Sequence, residues 1–284
     1  MKKAILIPNP AKDDGFIITA QIVQRLDKLK FECFIEEKYR QYGLLGVVYF
    51  KDVCADADII IVVGGDGSVI DASSIAVALD IPVLAVNLGK VGYLAQLDPD
   101  SLHMLDRLST GEFKIEEKML LEVKKVAGES ERPCPRLALN DVVVTHESYL
   151  GMSDIMIENE RGDHVNYRAD GVIASTPAGS TAYSLSAGGP IISHTLDSIT
   201  LTPICPHSFF NRSIVYGSDE RIRISNVGKP ILNISVDGRY FDSISEGERC
   251  LVYTSDKRIK TITFEESNVF TVLSRKINHL NDFI

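Results

Sequence analysis

An unbroken apolar run, Ile59-Ile60-Ile61-Val62-Val63, ends directly in Gly64-Gly65-Asp66-Gly67-Ser68. A strand with no polar side must be covered on both faces, as in a parallel sheet flanked by helices. The glycines that follow permit a tight turn whose backbone N–H groups can approach an anion with no Cβ in the way. Neighbouring segments keep the same alternation. Lys3 to Ile7 and Phe31 to Ile35 read as strands, and Phe16, Ile17, Ala20, Val23, Leu26 and Leu29 recur at helical spacing between them. Val69 to Leu79 reads as a helix and Ile81 to Val86 as a further buried strand. Asp98 before Pro99 has the form of an N-cap opening a helix through Leu108. This rhythm predicts an α/β domain over residues 1–111 with a parallel, Rossmann-like sheet. Ligands of such sheets bind at the carboxyl ends of the strands. The Gly64–Ser68 loop lies at one such end and Asn87-Leu88-Gly89 at another.

After Gly111 the pattern changes. Lys114 to Val126 alternates apolar with charged residues. Further strand-like runs are Leu137 to Thr145, Ile155 to Glu158, Val172 to Ser175, Arg221 to Ile224, Ile231 to Val236, Leu251 to Thr254 and Ile259 to Phe264. Turn signals such as Asp237-Gly238 and Glu246-Gly247 separate them. The one good helix candidate follows Gly179. The expectation is a β-rich, sandwich-like domain over residues 112–265, with 266–284 packing back on the first domain.

The chain has 284 residues, of which 45% are hydrophobic and 24% charged. That balance is of a soluble globular protein. A formal net charge of −9 argues against nucleic acid or a membrane surface as partner. No apolar run approaches the roughly 20 residues of a membrane span. An anionic ligand would need a local basic pocket. The five cysteines are scattered, with no zinc-ligand spacing, and read as reduced thiols of a cytoplasmic protein.

Two glycine-rich motifs carry chemistry. In the first, Gly65 and Gly67 leave room for phosphate, while Asp66 is repelled by it and suits a hydroxyl or a metal ion. The competing reading makes Asp66 the N-cap of the following helix. A Walker lysine motif is absent, and the first strand is not followed by Gly-x-Gly-x-x-Gly. The second motif runs from Asp170 to Pro190. Ser175, Thr176, Ser180, Thr181, Ser184 and Ser186 crowd around Gly171, Gly179, Gly188 and Gly189. So many small donors suit a polar, multi-hydroxyl ligand, and Tyr183 offers a ring face or a phenol to a base. The apolar residues at both ends argue against a flexible linker.

These residues resemble the NAD kinases. The family's Gly-Gly-Asp-Gly-Ser/Thr matches residues 64–68, and its long Asp-Gly to Gly-Gly-Pro block matches 170–190. Asn87 to Leu94 is similar to its Asn-Leu-Gly-x-x-Gly-Phe-Leu, and Leu201 to Ser208 to a further block. The resemblance implies transfer of the γ-phosphate of ATP, or of polyphosphate, to the adenosine ribose 2′-hydroxyl of NAD. Asp66 would accept the hydroxyl proton, and Mg²⁺ would arrive with the ATP. Gly65 and Gly67 would flank the phosphates. Asn140, Asp141, Asp170, Ala178, Thr181, Ala182, Tyr183, Ser184 and Ser186 would bind NAD. Arg168 would meet the pyrophosphate or pair with Asp170, and Arg239 would meet a diphosphate or lie along the surface. The family pattern also implies a homodimer or homotetramer. The chain departs from it at Asp71, at Asp141 where Glu is usual, at Ala178 where Thr is common, and at Arg239 where Gln is frequent. A lipid or sugar kinase sharing the loop, and a dinucleotide sensor without catalysis, are the rival readings.

Overall fold

The computed structural model describes all residues except 52–55, 90–91, 93–96, 128–129, 132–134, 148–151, 208–210 and 265–284. The segment expected to pack back, 266–284, therefore lies outside the described residues, as do parts of the Asn87–Leu94 and Leu201–Ser208 motifs. The chain divides into two units. Met1–Glu117 and the residues from Ile259 onward form one, and Lys118–Arg258 the other.

In the first unit β1 (Lys2–Pro8) leads through α1 (Ile17–Lys28) to β2 (Phe31–Glu36) and β3 (Val47–Phe50). Then β4 (Ile59–Gly64) leads through α2 (Asp66–Leu79) to β5 (Val83–Asn87). The strands lie in the order β3-β2-β1-β4-β5 and all pair in parallel. Every residue of β4 is buried, as its unbroken apolar run requires. Helix α1 turns Ile22, Val23 and Leu26 into a core that also holds Leu6, Ile61 and Leu84. The helix expected from Asp98 to Leu108 is instead a 3₁₀ segment, Pro99–Asp106, followed by the single turn α3 (Arg107–Thr110). Asp98 makes no capping bond, and Ser101 leaves helical geometry.

The second unit is built from two antiparallel sheets. Strands β6 (Lys114–Ala127), β7 (Ser130–Glu131) and β8 (Arg136–Ala138) come first, then β9 (Asp141–His146), β10 (Ser153–Glu158), β11 (His164–Ala169) and β12 (Gly171–Ser175). After the single turn α4 (Tyr183–Ser186) follow β13 (Ser198–Ile204), β14 (Ile214–Gly217), β15 (Arg221–Asn226), β16 (Leu232–Val236), β17 (Arg239–Ile244) and β18 (Arg249–Thr263). One sheet runs β14-β13-β12-β9-β16-β17. The other runs β11-β10-β15-β18. Residues of both, among them Val144, Val172, Leu201, Ile155, Ile224 and Val252, share one core. The α/β and β-rich architecture is as expected, but β7, β11, β13, β14 and β17 are not among the expected runs, and three further details differ. The Leu137–Thr145 run breaks at Leu139-Asn140, and two expected strands merge into β18. The helix after Gly179 shrinks to a 3₁₀ turn, Gly179–Thr181, and α4. No helix among the described residues is long and apolar enough to cross a membrane.

Candidate functional site

The strand order 3-2-1-4-5 reverses direction between β1 and β4. Open α/β sheets bind ligands at such a switch point, beyond the carboxyl ends of the strands. Here those ends are Pro8–Lys12 after β1 and Gly64–Ser68 after β4. Gly65 is the N-cap of α2 and Asp66 its first residue, so the reading of Asp66 as the cap does not hold. Asp66 is half-buried, beside exposed Gly67. It stands at the positive end of a 14-residue helix, where anionic groups gather. Asn9 ties the two strand ends together. Its N–H donates to the Val63 carbonyl at 2.8 Å, and its side-chain amide donates to Ser68 Oγ at 2.9 Å. Its carbonyl accepts the N–H of Lys12 at 3.0 Å and of Asp13 at 2.9 Å. Asp13 in turn accepts the N–H groups of Ile18 and Thr19, fixing the start of α1. Beside this loop a cleft of about 340 Å³ is lined by Asn9, Pro10, Tyr39, Ser68, Asp71 and Ile75.

In the second unit, β9 starts where β12 ends, with Asp141 opposite Ser175. Strand β16 ends beside them, with Val236 opposite Val142. This end therefore gathers Asn140, Asp141, Asp237, Arg239 and the loop from Thr176. Asp237 accepts the N–H groups of Leu139, Asn140 and Asp141 at 2.8, 2.7 and 3.1 Å. From the other side Thr176 donates its N–H to the Asn140 carbonyl at 2.9 Å and its hydroxyl to the Leu139 carbonyl at 2.7 Å. A Cβ on Gly179 would overlap that Asn140 carbonyl, so glycine is required by close approach. Burial, and then the nearby Asp237 charge, pushes the Asp141 carboxyl up to about 7. Burial also raises Asp237, against the lowering effect of its three backbone donors and Arg136.

Asp170 lies at the opposite end of the same sheet, before Gly171, which faces Thr145 and Ile204. His146 Nε2 stands 3.7 Å from its carboxylate. Arg168 pairs across the strand with Asp154, its Nε 4.0 Å from that carboxylate, rather than with Asp170. The segment carrying Ala178, Thr181, Ala182, Tyr183, Ser184 and Ser186 runs over the outer face of the sheet. It ends with Ala187 packed on Val143, Ile173 and Ile204. Tyr183 and Ser186 are exposed. Ser184 is buried, its hydroxyl 3.1 Å from that of Thr202, and is thus engaged inside the fold. Arg239 opens β17 and is exposed. Sequence reasoning missed Lys12, Asp237 and His146. The available signal for Lys12 was a basic residue in the turn after β1, close to Asn9-Pro10.

Residues 7–113 match the ATP-NAD kinase N-terminal domain and residues 139–264 the ATP-NAD kinase C-terminal domain. The NAD kinase of Thermoanaerobacter sp. (strain X514) is 34% identical over 288 aligned residues, covering 98% of this chain and 99% of the relative. That of Caldanaerobacter subterraneus subsp. tengcongensis is 35% identical over 285, with the same coverage. Among solved structures the fold is shared with yeast NADH kinase complexed with NADH, at TM-score 0.86 and 21% identity, over 96% of this chain and 86% of that one. It is also shared with an NAD kinase from Archaeoglobus fulgidus in complex with ATP, at TM-score 0.71 and 24% identity, over 96% and 99%. Two matched domains and full-length relatives above 30% identity place this chain in the NAD kinase family.

Proposed function

We infer that this protein is an NAD kinase that moves the γ-phosphoryl group of ATP to the adenosine ribose 2′-hydroxyl of NAD, giving NADP and ADP. The observation that carries the reading is Asp66 at the first turn of α2, at the switch point of the parallel sheet. As the ribose oxygen bonds to the γ-phosphorus, the bond to the bridging oxygen of ADP breaks. The hydroxyl proton passes to Asp66. In a loose transition state that transfer is late, so the carboxylate also orients the hydroxyl. The α2 N-terminus and glycines 65 and 67 present backbone N–H groups to the phosphates. Mg²⁺ enters as the ATP chelate and is part of that substrate. Asn140, Asp141, Ala178, Thr181, Ala182, Tyr183 and Ser186 bind the dinucleotide, with Asp170 and the arginines 168 and 239 toward its charged parts.

We further propose a homo-oligomer. Asn140 and Asp170 stand at opposite ends of one sheet, which supports a dinucleotide site shared between copies. A cytoplasmic location is supported by Cys33, Cys205 and Cys250, all free thiols. A lipid or sugar kinase is disfavoured, since both halves of the chain match ATP-NAD kinase domains.

The test is NADP formation from NAD, ATP and Mg²⁺, read with an NADP-specific dehydrogenase. Asp66→Asn should lower kcat by about 10²–10⁴-fold while the NAD dissociation constant stays within a few-fold. Unchanged turnover would remove Asp66 from the mechanism. Tight NAD binding by the unaltered protein without turnover on ATP or polyphosphate would make it a sensor.

A further inference from the structure

We propose that Lys12 is a catalytic residue that grips the phosphates of the phosphoryl donor, filling from the β1–α1 turn the role a Walker lysine fills elsewhere. The proposal rests on the NAD kinase reading above and adds a residue that the sequence motifs did not mark. A Cβ built on Gly65 would overlap the Lys12 ammonium, and one on Gly89 would lie 3.3 Å from it. The ammonium therefore lies over the two glycines at the carboxyl ends of β4 and β5, in the space a side chain would fill. Gly65 is the residue before Asp66.

Three further observations assign a ligand role to this lysine rather than a structural one. Among the described residues no hydrogen bond or ion pair engages its ammonium, although the chain carries an excess of nine negative charges. The residue is exposed, so an incoming anion can reach it. Its backbone is nevertheless fixed, because Asn9 anchors the turn to Val63 and Ser68 and Asp13 anchors it to α1. A long side chain on a fixed turn, next to bare backbone at a helix N-terminus, is how a point charge is delivered to a phosphate. In a loose phosphoryl transfer negative charge develops on the leaving oxygen and is spread over the equatorial oxygens of the transferring group, and a preplaced cation stabilises it. In a chain without a Walker motif that cation must come from elsewhere, and Lys12 is placed at the loop. The ligand class is a triphosphate or polyphosphate chain.

The experiment compares the unaltered protein with Lys12→Ala, Lys12→Gln and Lys12→Arg in two readouts. One is steady-state kinetics with ATP and NAD varied separately. The other is calorimetric binding of inorganic tripolyphosphate. Lys12→Ala and Lys12→Gln should lower kcat/KM for ATP by about 10²–10³-fold, weaken tripolyphosphate binding at least ~10-fold, and leave the NAD KM within about threefold. Lys12→Arg should restore part of both losses, which a mere packing role would not predict. Unchanged kcat/KM for ATP in both neutral variants would overturn the proposal, as would a loss confined to the NAD KM. If the unaltered protein makes no NADP from any donor, the NAD kinase reading itself fails. Lys12 is then judged on tripolyphosphate alone, and equal binding by the Lys12→Ala protein overturns it.

Discussion

The backbone N–H of Asn140 donates to Oδ1 of Asp237, 97 residues away, at 2.7 Å. Asp237 occupies the turn between β16 and β17 with φ +49°, and Gly238 follows at φ +76°. Two positive φ values in succession are the hairpin turn that Asp-Gly favours. One aspartate thus closes a hairpin and holds the Leu139–Asp141 backbone by three hydrogen bonds. Its carboxylate replaces water for donors that the break between β8 and β9 would leave unpaired.

Asp237→Ala removes the acceptor and puts a Cβ-bearing residue with no turn preference at positive φ. The expected loss is about 2–4 kcal/mol of stability. The NAD KM should rise more than kcat falls, because the Asn140-Asp141 backbone loosens. Asp237→Asn keeps one acceptor oxygen and tolerates the left-handed conformation, so its loss should be about half as large. Denaturant midpoints and steady-state kinetics on both variants check this ordering. Equal behaviour of the two variants would count against the clamp.

Gly179→Ala acts on the opposite side of the same segment. Its Cβ would meet the backbone carbonyl of Asn140, which cannot swing aside as a flexible side chain would. Overlap with backbone in a packed site costs about 1–3 kcal/mol, and here it also displaces a proposed NAD ligand. Thermal melting should fall and NAD affinity should weaken together. A variant that melts like the unaltered protein would mean the loop yields freely.

The parts of this fold legible in the sequence were those with a one-dimensional signature. β4 announced itself because burial on both faces demands an unbroken apolar run. The Gly64–Ser68 and Asp170–Pro190 segments announced themselves because close backbone approach demands small residues. β13 escaped because Thr200, Thr202 and Pro203 dilute its apolar pattern, although every residue in it is buried. Buried hydroxyls such as Thr202 find partners in Ser184 and Ser213, which only the folded chain brings near. The Asp237 clamp escaped for the same reason. Lys12 needed the strand order, since nothing in the sequence states that the ends of β1 and β4 are neighbours.

Gly65→Ala separates backbone needs from the proposed ammonium site. Gly65 has φ −114°, which alanine adopts without strain, and the one serious overlap is with the end of the flexible Lys12 side chain. Loss of the glycine N-cap should cost under about 1 kcal/mol. Turnover should fall far more than stability, at least ~10-fold in kcat/KM for ATP, because the ammonium is pushed off the loop. Kinetics beside a melting curve checks it, and a variant with full activity would show that the ammonium's resting place does not matter.

Asp141 gives the protein a pH signature. Its carboxyl titrates at about 7 in the folded chain, chiefly through burial and then through the Asp237 charge, against an ordinary value of 3.8. The folded state therefore holds this proton more tightly than the unfolded state does. Stability from this group is intact below pH ~4, falls as the pH rises through the interval between the two values, and levels off above about 7. Each unit of difference is worth about 1.4 kcal/mol, so the full effect is at most a few kcal/mol. Asp141→Asn has no proton to lose. It should match the unaltered protein in stability near pH 4 and exceed it by about 1–4 kcal/mol at pH 8. Asp237→Asn removes the neighbouring charge that helps to raise Asp141, so the fall should be shallower and level off at a lower pH. Urea unfolding from pH 4 to 8 measures both effects. If the stability difference between the unaltered and Asp141→Asn proteins stays constant with pH, the carboxyl does not titrate in this window and the burial argument for its raised value is wrong.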